Sequence, residues 1–186
     1  MGLSETEICN LALLRVGQPV IGDITEASDP AITCRKFYTE TRDELLRQHP
    51  WNFAMGRKEL AASTTTPDFE FTYSFPLPAD CLRVLSLYYT DYEWVIEGKN
   101  LLTNLDTVQI KYIKRITDSG IFPPDFTEAL SIKLAQKIAA YVTQNLKLSQ
   151  LLYEEFEMVL ARAKAADAQE GSYQAFETST IINSRY

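Results

Sequence analysis

The chain has 186 residues, 46% hydrophobic and 23% charged, too apolar for a disordered protein and long enough for one real core. A net charge of −7 argues against a nucleic-acid grip, which needs clustered lysine and arginine, but not against an acidic wall that DNA slides past. No stretch approaches the ~18 consecutive apolar residues of a membrane span, so no membrane partner is expected.

Cys9, Cys34 and Cys81 are far apart and odd in number, so neither a disulfide framework nor a zinc site is supported, and a reducing cytoplasm fits best. Met1 to Glu7 carries neither a basic nor an apolar segment, so no signal peptide is expected there.

In chain order, Ser4-Glu5-Thr6-Glu7 has the form of a capping box, in which Ser4 bonds the Glu7 amide and the Glu7 carboxylate reaches back. It predicts a first helix with Ile8, Leu11, Ala12 and Leu14 inward, closed by Gly17 with Pro19 just beyond. Cys9 on that helix reads as a small buried apolar residue. Residues 20–27 are a connection. Ser28-Asp29-Pro30 then opens a second helix with a capping hydroxyl, an acid at the positive end and proline in the first turn. Its inward stripe is Ala31, Cys34, Tyr38 and Leu45, widened by Ile32, Phe37 and Leu46. Pro50 lacks an N–H and disfavours helical backbone at His49, so this helix stops at Gln48 or His49. Trp51 and Phe53 follow at strand-like spacing. With Pro50 they make the expected structural anchor, each aromatic able to bury ~150–250 Å².

Beyond Trp51 the period changes from 3.6 to 2. Met55 to Ala61 reads as a strand and Ser63 to Pro67 as a loop. Phe69, Phe71, Tyr73 and Phe75 alternate with Glu70, Thr72 and Ser74, which predicts a half-buried strand ended by Pro76 and Pro78. Cys81 to Tyr89 is apolar on both faces apart from Arg83 and Ser86, so it is expected at the centre of a sheet. Tyr92, Trp94 and Ile96 alternate, Gly98-Lys99-Asn100 turns the chain, Leu101 and Leu102 return, and Val108, Ile110 and Tyr112 form a last strand. Short strands joined by tight turns imply antiparallel pairing rather than βαβ units.

Pro123-Pro124-Asp125 restarts helix, with Phe126, Leu130, Leu134, Ile138 and Val142 as its stripe and Ala135 and Ala139 permitting close packing. Ser149 is the expected N-cap of a last helix that buries Leu152, Phe156, Val159, Leu160 and Ala163, and periodicity fails after Ala168. The expected fold is therefore α+β. A four-helix core, two helices N-terminal and two C-terminal, carries an inserted, mainly antiparallel β-sheet and an extended C-terminal tail. In residues, a single domain at 1–168 holds the β insertion at about 51–118, and the tail is 169–186.

Little in this pattern points to a reaction. His49 is the only histidine, so any Ser-His-Asp or Cys-His arrangement must use it, and beside Pro50 it reads as a helix-end or structural partner. Asp43/Glu44, Glu154/Glu155 and Asp167/Glu170 are paired acids, the minimum a glycosidase requires, but acids on a polar helix face are usually solvated. No Gly-rich phosphate loop occurs, so no catalytic, cofactor-binding or metal-binding residue is assigned and no cofactor is expected. Lys111, Lys114 and Arg115 read as a solvated sheet edge, and the aromatics of the β region as sheet core or subunit interface rather than a base-stacking platform. The tail is low in charge yet carries Phe176, Ile181, Ile182 and Tyr186 without a helical stripe. It reads either as a segment that orders on a partner or as an arm folded back on its own helices.

The order of parts resembles the head-to-tail adaptor of short-tailed bacteriophages, also called tail tubular protein A or the tail accessory (connector) family. The resemblance rests on Asn10 to Pro19, on Arg42 to Leu46 running into His49-Pro50-Trp51-Asn52-Phe53-Ala54, and on Phe75 to Val84. It extends through Tyr112-Ile113-Lys114-Arg115, the restart at Pro123 to Phe126 and the two closing helices, covering roughly residues 4–168. It implies a structural virion protein and no enzyme: a homo-oligomeric ring, a dodecamer, beneath the portal protein ring. Such a ring bears the tail nozzle or hub and the tail fibres or spikes, and extends the channel through which genomic DNA passes without specific binding. It implies a place in the tail or neck of the virion, assembled in the host cytoplasm. Phe176, Ile181, Ile182 and Tyr186 are then the candidates for reaching the portal or a neighbouring subunit. The connector of a long-tailed phage or prophage, a virion-associated glycan or cell-wall hydrolase, and an unrelated interaction domain are the alternatives.

Overall fold

The box at Ser4 forms as its spacing dictates: the Ser4 hydroxyl accepts from the Glu7 N–H at 3.2 Å, and the Glu7 carboxylate accepts from the Ser4 N–H at 2.7 Å. In the computed structural model, which describes residues 2–89, 91–142 and 145–170, this opens α1 at Glu5–Arg15. The helix ends in a Schellman arrangement. Gln18 N–H reaches Leu13 O at 2.9 Å, Gly17 N–H reaches Leu14 O at 3.2 Å, and Gly17 takes the left-handed φ of 69° that only glycine adopts without strain. The buried side of α1 is Ile8, Cys9, Ala12 and Leu13, while Leu11 and Leu14 face out. Residues 11–14 are apolar all round, so periodicity alone cannot choose a face there; the helices packed against α1 choose it.

The connection after α1 is held by Asn10, whose carboxamide accepts from the Ile21 N–H at 2.8 Å and donates to the Ile21 carbonyl at 2.9 Å. α2 spans Asp29–Gln48 from its N-cap Ser28, and His49 is already extended at φ −136°, as Pro50 requires. Its stripe is buried as expected, except that Ile32 is exposed and Phe37 only half-buried.

Trp51 and Phe53 do not continue in an extended path: Asn52–Ala54 is a 3₁₀ turn. Six strands follow, β1 (Met55–Leu60), β2 (Tyr73–Pro76), β3 (Cys81–Leu87), β4 (Trp94–Glu97), β5 (Asn100–Thr103) and β6 (Val108–Lys114). They make two antiparallel three-stranded sheets, β1-β6-β3 and β2-β5-β4, rather than one. The long alternating run at Phe69–Phe75 is a strand only from Tyr73, because Glu70 turns left-handed at φ 71° and leaves Phe69 outside.

β3 lies at an edge, not at the centre. Irregularities between Cys81 and Arg83 and between Val84 and Ser86 insert extra residues, so Cys81, Val84 and Leu87 share one face and Leu82 and Leu85 the other. The first set packs with Phe75, Leu101, Val108, Ile110 and Tyr112 between the two sheets; the second joins Ile113 under the helices. Burial on both faces reflects this layering, not a central position. The centre is β6, so Lys111 and Lys114 are not edge lysines. Opposite Tyr112 stands Gly56, where a Cβ would come within 2.8 Å of the tyrosine ring.

α3 (Pro124–Val142) is the helix against which α1, α2 and α4 (Leu146–Gln169) pack. Its Ala135 and Ala139 are fully buried and allow the close approach. Val142, expected inward, is exposed. The N-cap of α4 is Asn145 instead of Ser149, its carboxamide oxygen accepting from Lys147 N–H at 3.1 Å and Leu148 N–H at 3.2 Å. The packed stripe begins one turn earlier than Leu152, at Leu148, and carries the cap back with it.

Candidate functional site

The residues that join helices to sheets sit in one corner. Pro50 is half-buried and Trp51 is 2% exposed. The Trp51 indole N–H donates to the Leu45 carbonyl at 3.0 Å, satisfying both the buried donor and an end carbonyl of α2. Its ring meets Phe126 edge-on at 5.2 Å, and Phe53 meets Phe126 at 4.9 Å and Phe122 at 5.9 Å. The anchor expected at Pro50, Trp51 and Phe53 thus holds α2 to the start of α3.

Asp167, near the end of α4, closes the same corner. Its carboxylate accepts the Asn52 N–H at 2.9 Å and lies 3.1 Å from His49 Nε2, while the Asn52 side chain donates to the Asp167 carbonyl at 2.5 Å. His49 is therefore a structural partner, as its position suggested. Asp167 and Asn52 were not singled out from sequence, although a signal existed. In α4 the series Phe156, Leu160, Ala163, Asp167 keeps one face, and an acid on an apolar stripe asks for a partner.

Of the other paired acids, Asp43, Glu44 and Glu155 are in ion pairs and Glu154 accepts from the Gln150 side chain at 2.7 Å. Asp43 accepts from Arg42 at 2.8 Å and from Arg115 at 2.7 Å, tying the end of β6 to α2. Glu44 faces Lys137 at 2.8 Å and Lys133 at 3.4 Å. Burial pushes its carboxyl up, but the two ammonium groups outweigh that and hold it below the usual carboxylate range, the wrong direction for a proton donor. Glu155 pairs with Arg15 across α1 and α4. Among the described residues no cluster of three metal-ligating side chains occurs.

Part of the uncovered surface is apolar. Where α3 hands over to α4, Tyr141, Val142 and Leu146 are exposed, with Leu151 and Met158 further along the outer side of α4. In the β part, Phe69, Tyr88, Tyr89 and Tyr92 are exposed, whereas Phe75 and Tyr112 are core. The aromatic crop of the sequence therefore divides between sheet core and open surface. Phe176, Ile181, Ile182 and Tyr186 lie outside the described residues.

No model of a known protein family matches the chain, and no curated protein matches it.

Proposed function

We propose that the chain is a structural subunit of a phage virion, a head-to-tail connector that forms a ring between the portal and the tail nozzle and extends the DNA channel. The observation that supports this most directly is the architecture. The two N-terminal helices and α4 pack against α3, and the whole β part is inserted between the N-terminal and C-terminal pairs, the arrangement that the resemblance at residues 4–168 implies. Large apolar side chains left open at the α3–α4 turn and in the β part suit a subunit whose neighbours cover both regions. Asp43 and Glu44, one of the acid pairs a glycan hydrolase could use, are engaged by Arg42, Arg115, Lys133 and Lys137.

The test is the mass of the purified chain alone and mixed with its portal ring. A small species that becomes a portal-bound ring, about one copy per portal subunit, is the expected result. No mass change with portal, together with turnover of cell-wall glycan, refutes the reading in favour of the hydrolase. A truncation after Glu170, which removes Phe176, Ile181, Ile182 and Tyr186, is expected to abolish portal binding while leaving the helical circular-dichroism signal intact. Undiminished binding would take the tail out of the interface.

A further inference from the structure

β3 is an edge strand of one sheet and β4 of the other, and a cleft of about 510 Å³ opens between them. Four cationic side chains line it, Arg47, Arg83, Lys99 and Arg115, and no acidic one does. That is a local reversal of sign in a chain of net charge −7. The cations are incompletely used. Arg47 rests on the Leu82 carbonyl at 2.7 Å, and Arg115 is held at its Nε by Asp43. Arg83 Nε is buried with no hydrogen-bond partner among the described residues. Asp80, three residues before Arg83, lies 3.4 Å from the Tyr112 hydroxyl, and the exposed Glu97 lines a separate groove with Phe71 and Asn100. Arg83 as a whole is only half-buried, and guanidinium groups take an incoming carboxylate in charge-assisted hydrogen bonds. The rest of the lining is largely apolar, including Leu77, Leu82, Trp94 and Ile96.

We propose that this cleft between the two sheet edges is a docking site for an extended acidic peptide segment of a partner protein. Each feature of the cleft answers one feature of such a segment. The guanidinium groups take carboxylates in paired hydrogen bonds, the apolar lining takes alternate side chains, and the edge of β4 offers backbone groups for strand addition. Nucleic acid fits less well, since its phosphates call for cations spread along a track rather than gathered in one cleft. The proposal does not depend on the connector reading, because it follows from charge and sheet topology alone.

Trp94 lies in the cleft and Trp51, the only other tryptophan, is buried in the helical corner, so the fluorescence change on titration reports the cleft. The probe is a capped eight-residue peptide of alternating glutamate and leucine, with a lysine–leucine peptide, oligothymidylate and inorganic phosphate as comparisons. Expected is a saturable response to the acidic peptide that weakens as salt is raised and is at least about tenfold weaker in Arg83→Gln, Arg47→Gln and Lys99→Gln. Lys58→Gln, outside the cleft, is expected to leave it unchanged. Arg47 and Lys99 are exposed, so their variants keep the test valid if Arg83→Gln fails to fold. No response up to about 1 mM peptide overturns the proposal. So does an equal response to the lysine peptide, tighter binding of oligothymidylate, or displacement of the peptide by an equal concentration of phosphate.

Discussion

Asp167 and Tyr38 are both polar side chains taken out of water, and they differ in whether the structure gives them partners. Asp167 is an almost buried carboxylate that is well satisfied, by the Asn52 N–H and by His49. Asp167→Ala strands both donors and is expected to destabilise by about 2–3 kcal/mol in urea unfolding. Its cost is expected to add less than fully to that of His49→Ala, since the two residues share one bond. Tyr38 is 2% exposed and its hydroxyl has no hydrogen-bond partner among the described residues, and burial pushes the phenol's proton affinity up. Tyr38→Phe removes a desolvated polar atom with almost no change of shape, so it is expected to match or exceed the parent stability. A loss of more than about 1 kcal/mol in the same assay would mean that the hydroxyl finds a partner in solution. Neither residue could be read this way from sequence. Tyr38 is one more member of an apolar stripe, and the partner of Asp167 at His49 is 118 positions away.

At the scale of elements, what was legible was whatever the chain settles within a turn or two. The box at Ser4, the Gly17 stop, the Ser28 cap and the Pro50 break involve partners three to five residues apart, and each appears where the spacing puts it. The strands were harder. Whether Cys81–Leu87 is central or at an edge depends on two inserted residues and on which layers cover it, and no period-2 pattern encodes either. The division into two sheets has an energetic consequence. Side chains of β2, β4 and β5 pack only in the cluster between the sheets and none joins the helical core. Phe75→Ala, at a fully buried site, is expected to cost about 3–5 kcal/mol. The loss should fall on that sheet first, so Trp94 fluorescence shifts to the red while the helical circular dichroism at 222 nm is kept. Loss of both signals together would show instead that the sheets and helices unfold as one unit.

For the molecule as a whole, the two hydrophobic clusters meet at few residues, chiefly β3 and β6, which send side chains to both. The four-helix plan with its insertion was visible in sequence because helical periodicity gives way to alternation at Trp51 and returns at Pro124. The candidate partner surfaces were less so: Val142 sits on the same predicted stripe as Ile138, yet Ile138 is buried and Val142 exposed once α3 is docked. One pairing carries further. Met55 and Ile113 stand opposite each other in β1 and β6, so the chain leaves the helices and comes back to them at neighbouring points. To the helices the whole β part is a loop whose ends are already together, and the entropy of closing such a loop grows only logarithmically with its length. The β part is in that sense an exchangeable cassette. It can be lengthened, shortened or replaced by another sheet with little cost to the helical frame, provided the substitute still offers the helices what Ile113, Leu82 and Leu85 offer now.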